Sequence, residues 1–259
     1  VPLAPLAGIV DAVAPPGGVE VVVLIPPGAS PHSYEPSLAE LRRAARASAY
    51  FGLGLPEFVF ERTWLEGLLE GSDAERTMLF SNCRSGTEPG EGDYHAWLSA
   101  RCLDVAADRI AASLARLLPD AAGEIEENLA AFHRRVAATD STTRRRLSPL
   151  RGRSYLVLHP AWGFLTRPYD MTQMSILSHG SGDPGPARLA ALIDRARAAE
   201  IRLVLVQPEF NQAPARLVAE ELGAGLVSLD PLARDPLEAI DGATAALQRA
   251  LGEEMTDAS

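Results

Sequence analysis

Five histidines are the residues best suited to chemistry in this 259-residue chain. His32 follows the apolar run Val19–Ile25 through a Pro- and Gly-rich turn. His95 precedes a helical segment opening near Ser99, and His159 follows Ser154–Leu158 with no spacer. Asp230 ends the run Leu226–Leu229 in the same way. Three imidazoles and one carboxylate are an ordinary tetrahedral donor set for Zn²⁺. There is no H-E-x-x-H and no close histidine pair, so the pattern is a dispersed constellation and not a motif. A hydrogen-bonded loop or core histidine is the competing reading at each position taken singly. His133 sits mid-helix in Phe-His-Arg-Arg and reads as structural or solvated. His179, in Ser-His-Gly-Ser-Gly-Asp, reads as a surface histidine, with a gate at a cleft as the sharper alternative.

The elements that must position these residues alternate. Short apolar runs at Val19–Ile25, Ala49–Phe51 and Thr77–Phe80 read as strands, separated by helical stretches at Ser37–Ala47 and Glu57–Glu70. Ser37 with Glu40 three residues later spells a capping box. Helical periodicity continues over Ser99–Leu118 and Asp120–Leu147, the second long enough to connect two lobes. Strands at Ser154–Leu158, Ile201–Val206 and Leu226–Leu229 then alternate with helices at Pro186–Ala199, Ala213–Leu222 and Asp235–Leu251. Such alternation implies βαβ units and parallel sheets. The expected fold is therefore α/β, with two lobes that each carry a mainly parallel sheet flanked by helices. The expected divisions are 1–118, a connecting helix 119–148, and 149–259. Ligands of open α/β sheets bind beyond the carboxyl ends of the strands. His32, His95, His159 and Asp230 all belong to that edge, and one ion held from both lobes would sit in the cleft between them.

Charge and composition remove other classes. The formal net charge is −10, which argues against nucleic acid. The excess lies in residues 1–130, with 9 basic and 19 acidic side chains, whereas residues 131–259 hold 15 of each. All 24 basic residues are Arg. Without Lys there is no Schiff base, no catalytic Lys and no P-loop Lys, so PLP chemistry and Walker-type hydrolysis are excluded. No apolar run approaches the ~20 residues needed to span a bilayer. Val1–Val13 is apolar but has no basic n-region, so it is not an intact signal peptide; a leader is expected to have been removed. Cys83 and Cys102 form no C-x-x-C motif, leaving one bridge or two free thiols open.

Six ordered segments carry a resemblance. Leu24–Pro36, read as LIPPGASPHSYEP, resembles the L-x-P-x-G-x-x-P-H-x-Y-E-P signature of the metal-binding substrate-binding proteins of ABC transporters, the zinc/manganese receptor family. The segments AYFGLGL at Ala49, DYHAWLS at Asp93, HPAWGF at His159, QPEF at Gln207 and DPL at Asp230 are similar to the family's successive segments. The resemblance covers almost the whole chain. It departs at Tyr94, where Pro is usual, and at Pro160, where Asp is usual.

The resemblance implies two α/β lobes joined by one long helix, and a metal held by His32, His95, His159 and Asp230. An imidazole at position 159 points to zinc, with a Mn²⁺ or Fe²⁺ receptor as the alternative. The implied role is a receptor outside the cytoplasm, not an enzyme, that delivers Zn²⁺ to an ABC permease. It is expected to be a monomer, with a zinc metallochaperone as a further candidate partner. Glu209 is the runner-up ligand, and Glu35 is a candidate acceptor for a ligand histidine's other N–H. Trp162 and Phe164 are expected to wall the site or fill the core. The loop at 81–93 carries Glu88, Glu91 and Asp93; it reads as solvated, with metal collection as the weaker reading. An extracytoplasmic location favours a Cys83–Cys102 bridge that restricts the segment holding His95. The arginines in Arg144–Arg153 suit a helix C-terminus, with permease docking as the sharper reading. A zinc hydrolase with an open coordination position, or an adhesin on the same fold, are the rival classes.

Overall fold

Pro at the start and Gly at the end mark several helices of this chain, as helix-capping physics requires. The computed structural model describes residues 1–83, 93–177 and 185–252. The roles weighed for His179, Glu88 and Glu91 concern positions outside the described residues. The chain divides into two compact units. The first comprises Val1–Cys83, Ser99–Ala138 and Leu232–Leu237, and the second Arg84–Leu98, Thr139–Pro231 and Glu238–Ser259.

The first unit holds α1 (Ala4–Val13), α2 (Leu38–Ala44), β1 (Ala49–Gly52), α3 (Val59–Leu68), β2 (Glu75–Met78) and α4 (Ala100–Leu117). β1 and β2 pair in parallel, Ala49 opposite Glu75 and Gly52 opposite Met78. Helix α4 buries Leu103, Ala106, Ala107, Ile110 and Leu114, a stripe at helical spacing, and packs against α1. At Gly8 of α1, a Cβ would stand 1.8 Å from the carbonyl oxygen of Arg234, so only glycine allows that approach. The expected capping box is formed: Ser37 Oγ accepts from the Glu40 N–H, and Glu40 accepts from the Ser37 N–H at 2.7 Å. A disulfide joins Cys83 to Cys102, with Cα atoms 6.0 Å apart.

The long helix α5 (Ala122–Leu147) follows a 3-10 turn at Pro119–Ala121, and the division between the units falls within it, at Ala138. Its last turn carries Arg144, Arg145 and Arg146, where positive charge complements the helix dipole. Within the Arg144–Arg153 stretch, Arg144 pairs with Asp140, Arg146 with Asp241 and Arg151 with Asp170.

The second unit holds β3 (Ser154–Val157), α6 (Gly163–Thr166), β4 (Thr172–Ser175), α7 (Pro186–Ala198), β5 (Leu203–Val206), α8 (Ala213–Leu222), β6 (Gly225–Ser228) and most of α9 (Pro236–Gly252). Its sheet runs β4-β3-β5-β6, all parallel. Leu156, Leu158, Val204 and Val206 face α7 and α8 across a core that includes Leu192, Ala196, Ala215 and Val218. α8 stops at Gly223, whose φ of 63° is the left-handed cap glycine takes without strain. The fold is thus α/β, with parallel sheets flanked by helices and one long helix in the middle of the chain.

Three local expectations differ from what is found. Val19–Ile25 is not a strand. Its Leu24 and Ile25 N–H groups do donate to the carbonyls of Val1 and Pro2. Pro2 has no N–H to return, so no ladder propagates. α1 occupies the apolar start, because Pro5 lies in its first turn, where no N–H is needed. β4 and α6 lie in a stretch where no element was expected. β4 reads TQMS, with no apolar run, and pairs only with β3 at the edge of the sheet.

Candidate metal centre

His159 stands two residues past the end of β3, Glu209 three past β5 and Asp230 two past β6. Because all these strands are parallel, the three side chains leave the sheet at one edge. Main-chain bonds carry the strand order into the edge: Leu158 N–H donates to Leu205 at 2.8 Å, and Leu229 N–H to Val206 at 2.9 Å. His95 belongs to the same unit, immediately before the 3-10 turn Ala96–Leu98. That turn is pinned by the Trp97 indole, whose Nε1–H donates to the carbonyl of Pro231 at 2.7 Å.

The imidazoles of His95 and His159 meet edge to face, their centroids 5.8 Å apart. Both residues are buried, at 3% exposure each. Two imidazoles on one tetrahedral zinc at the usual Zn–N distance would have centroids about 5.2 Å apart, so the observed pair is near that spacing. The phenol ring of Tyr94 stacks on His95 at 4.7 Å, and the Phe210 ring stacks on His159 at 4.9 Å. Position 94, the site of the departure from Pro, therefore supplies a ring against the candidate ligand. Trp162 and Phe164 are both buried, at 1% and 5% exposure.

A carboxylate is tied to the first of the two rings. Asp93 Oδ1 accepts from the His95 main-chain N–H at 3.0 Å and lies 2.9 Å from its Nδ1. The Glu209 carboxyl is pushed up to about 7, first by burial and then by the charge of Asp230. The Tyr94 hydroxyl is also pushed up, by burial first and then by Asp93 and Glu209. Gln207, on β5's exit and two residues past the Val157–Leu205 pairing, is 2% exposed, and neither amide atom finds a hydrogen-bond partner among the described residues.

His32 lies in the first unit, in a turn where Ser33 and Tyr34 N–H groups both donate to the Ser30 carbonyl. Tyr34 Oη donates to Glu40 at 2.6 Å and so ties this turn to the cap of α2. Glu35 is exposed, and Glu40 is the carboxylate that takes up the hydrogen bonds of this stretch. Among the described residues, no three His, Cys, Asp or Glu side chains are gathered into a ready metal cage. The structure thus brings together His95 and His159, with Asp93, Glu209 and Asp230 in the same unit. Asp93 was legible only as part of an acidic loop; its place two residues before a histidine is the local signal for a side chain that turns back onto it.

The chain is similar to known proteins over most of its length. A family model described as "Zinc-uptake complex component A periplasmic" matches residues 2–250. The high-affinity zinc uptake system protein ZnuA of Haemophilus ducreyi is 25% identical over 256 residues, covering 88% of this chain and 82% of that protein. The zinc-binding lipoprotein AdcA of Streptococcus pneumoniae is 27% identical over 235 residues, and the match spans 45% of its length. A solved crystal structure of ZnuA superposes with a TM-score of 0.85 at 30% identity, covering 96% of this chain and 97% of that one.

Proposed function

The chain belongs to the periplasmic zinc-uptake complex component A family, and from that premise we propose that it captures Zn²⁺ outside the cytoplasm and delivers it to the permease of an ABC transporter. The family is one of transport receptors, not enzymes. The proposed ligands are His32, His95, His159 and Asp230, with Glu209 as the alternative carboxylate. The observation that carries the reading is the buried His95–His159 pair at 5.8 Å, close to the spacing one tetrahedral ion imposes.

Donor chemistry supports zinc over manganese. An imidazole at 159 in place of a carboxylate shifts a site from Mn²⁺ toward Zn²⁺. The acidic neighbours Asp93, Glu209 and Asp230 set a negative field that favours a cation. A receptor of this kind works as a monomer, taking zinc directly or from a metallochaperone, with the lobes and connecting helix divided at 118 and 148.

Calorimetric titration tests the reading. One Zn²⁺ per chain is expected. If the ~10–16 kcal/mol that four ligands supply to a structural zinc is shared evenly, His159→Ala weakens binding on the order of 100-fold. Unchanged affinity in that variant sinks the assignment.

A further inference from the structure

We propose that Asp93 is a positioning residue, one that fixes the proton of His95 on Nδ1 and so presents Nε2 to the metal, and that residue 163 is glycine to leave Asp93 room. The inference rests on the zinc reading above. A single oxygen, Asp93 Oδ1, holds His95 twice, by its main-chain N–H at 3.0 Å and by its ring Nδ1 at 2.9 Å. A carboxylate only accepts, so Nδ1 carries the hydrogen and the ring's lone pair is on Nε2. Holding ring and main chain from one point also fixes the direction in which that lone pair aims. The side chains of His95 and Asp93 are 4% and 3% exposed, so bulk water does not compete for the bond.

The second oxygen supplies an independent observation. Asp93 Oδ2 is buried and has no hydrogen-bond partner among the described residues. Here the satisfied oxygen is the one turned to His95. The other lies against Gly163, where a Cβ would stand 2.5 Å from it. Any side chain at 163 must therefore displace the carboxylate that orients His95. Gly163 opens α6, four residues past His159, so the stretch after one candidate ligand shapes the support of the other.

Competition with a chromophoric chelator, together with ¹⁵N-resolved histidine spectra of the zinc-free chain, tests the inference. In the zinc-free protein His95 is expected as the Nδ1–H tautomer. Asp93→Ala loses that bias and binds zinc 10–100-fold more weakly, the usual cost of losing such a partner. Asp93→Asn keeps an acceptor oxygen, and so restores the tautomer and part of the affinity; being isosteric, it decides the matter if the Ala variant does not fold. Gly163→Ala weakens zinc binding with Asp93 unchanged. An Nε2–H His95 in the zinc-free wild type, or Asp93 variants that bind zinc as the wild type does, overturns the inference. Failure of the wild type to bind zinc overturns the zinc reading instead, and the spectra still decide whether Asp93 sets the tautomer.

Discussion

Glu209 and Asp230 place two carboxyl groups at the ends of neighbouring strands β5 and β6, close enough that the charge of one raises the other. Burial is the larger cause, and together they lift Glu209 from its ordinary 4.5 to about 7. A carboxyl raised on folding costs stability where it must ionise: the cost is absent below pH 4.5 and complete above about 7. Glu209→Gln is expected to stabilise the zinc-free protein by up to about 3 kcal/mol above pH 7 and by nothing at pH 4.5. Urea unfolding at the two pH values checks it.

His133 lies between Asp104 and Asp108 of α4, its Nδ1 at 2.7 Å from the first and its Nε2 at 3.0 Å from the second. Burial pulls its titration down, but the two carboxylates outweigh burial and hold the imidazolium above its usual range. The contact thus stabilises fully below the unfolded value of 6.5 and is lost as pH rises through the folded one. His133→Asn should destabilise at pH 5.5 and do little at pH 9. Histidine NMR titration should show the raised value and its fall in Asp104→Asn.

Glu61 is a buried carboxylate, 7% exposed, that accepts from Leu53 N–H at 2.6 Å, Gly54 N–H at 2.9 Å and Tyr50 Oη at 3.2 Å. It closes the turn that follows β1. Glu61→Ala leaves these donors buried without an acceptor, at roughly 1–3 kcal/mol each. An overall loss of about 3 kcal/mol or more is expected, with Glu61→Gln milder because it retains one acceptor. Denaturant midpoints measure both.

The Cys83–Cys102 bridge closes a ring whose ends are 19 residues apart. Chain entropy sets its contribution at about 3 kcal/mol. Reduction should lower the urea midpoint accordingly and release two titratable thiols. His95 lies within the ring, so zinc affinity should fall on reduction; an unchanged affinity would show that the bridge serves stability alone.

Much of the molecule was legible where local chemistry agrees with tertiary need. The Ser37–Glu40 cap and the Val- and Leu-rich strand β5 are written in short windows. Helix α1 was not, because two prolines and an unbroken apolar face hide helical periodicity. Strand β4 was not, because an edge strand needs little apolar surface. Strand-end logic named His159 and Asp230 as candidates, and the parallel sheet does bring both to one edge. Asp93 and Gly163 escaped it, since their relation is a close approach across 70 positions of chain that no spacing announces.

The Trp97–Pro231 hydrogen bond spans 134 residues, and it joins the turn after His95 to the residue after Asp230. Trp97 is wholly buried in the folded chain, so no water replaces Pro231 as the acceptor of its indole N–H. The turn that carries His95 is therefore held by main chain that lies next to Asp230. A shift of the main chain at either position is passed to the other, so two candidate ligands far apart in sequence are placed as one unit and not separately.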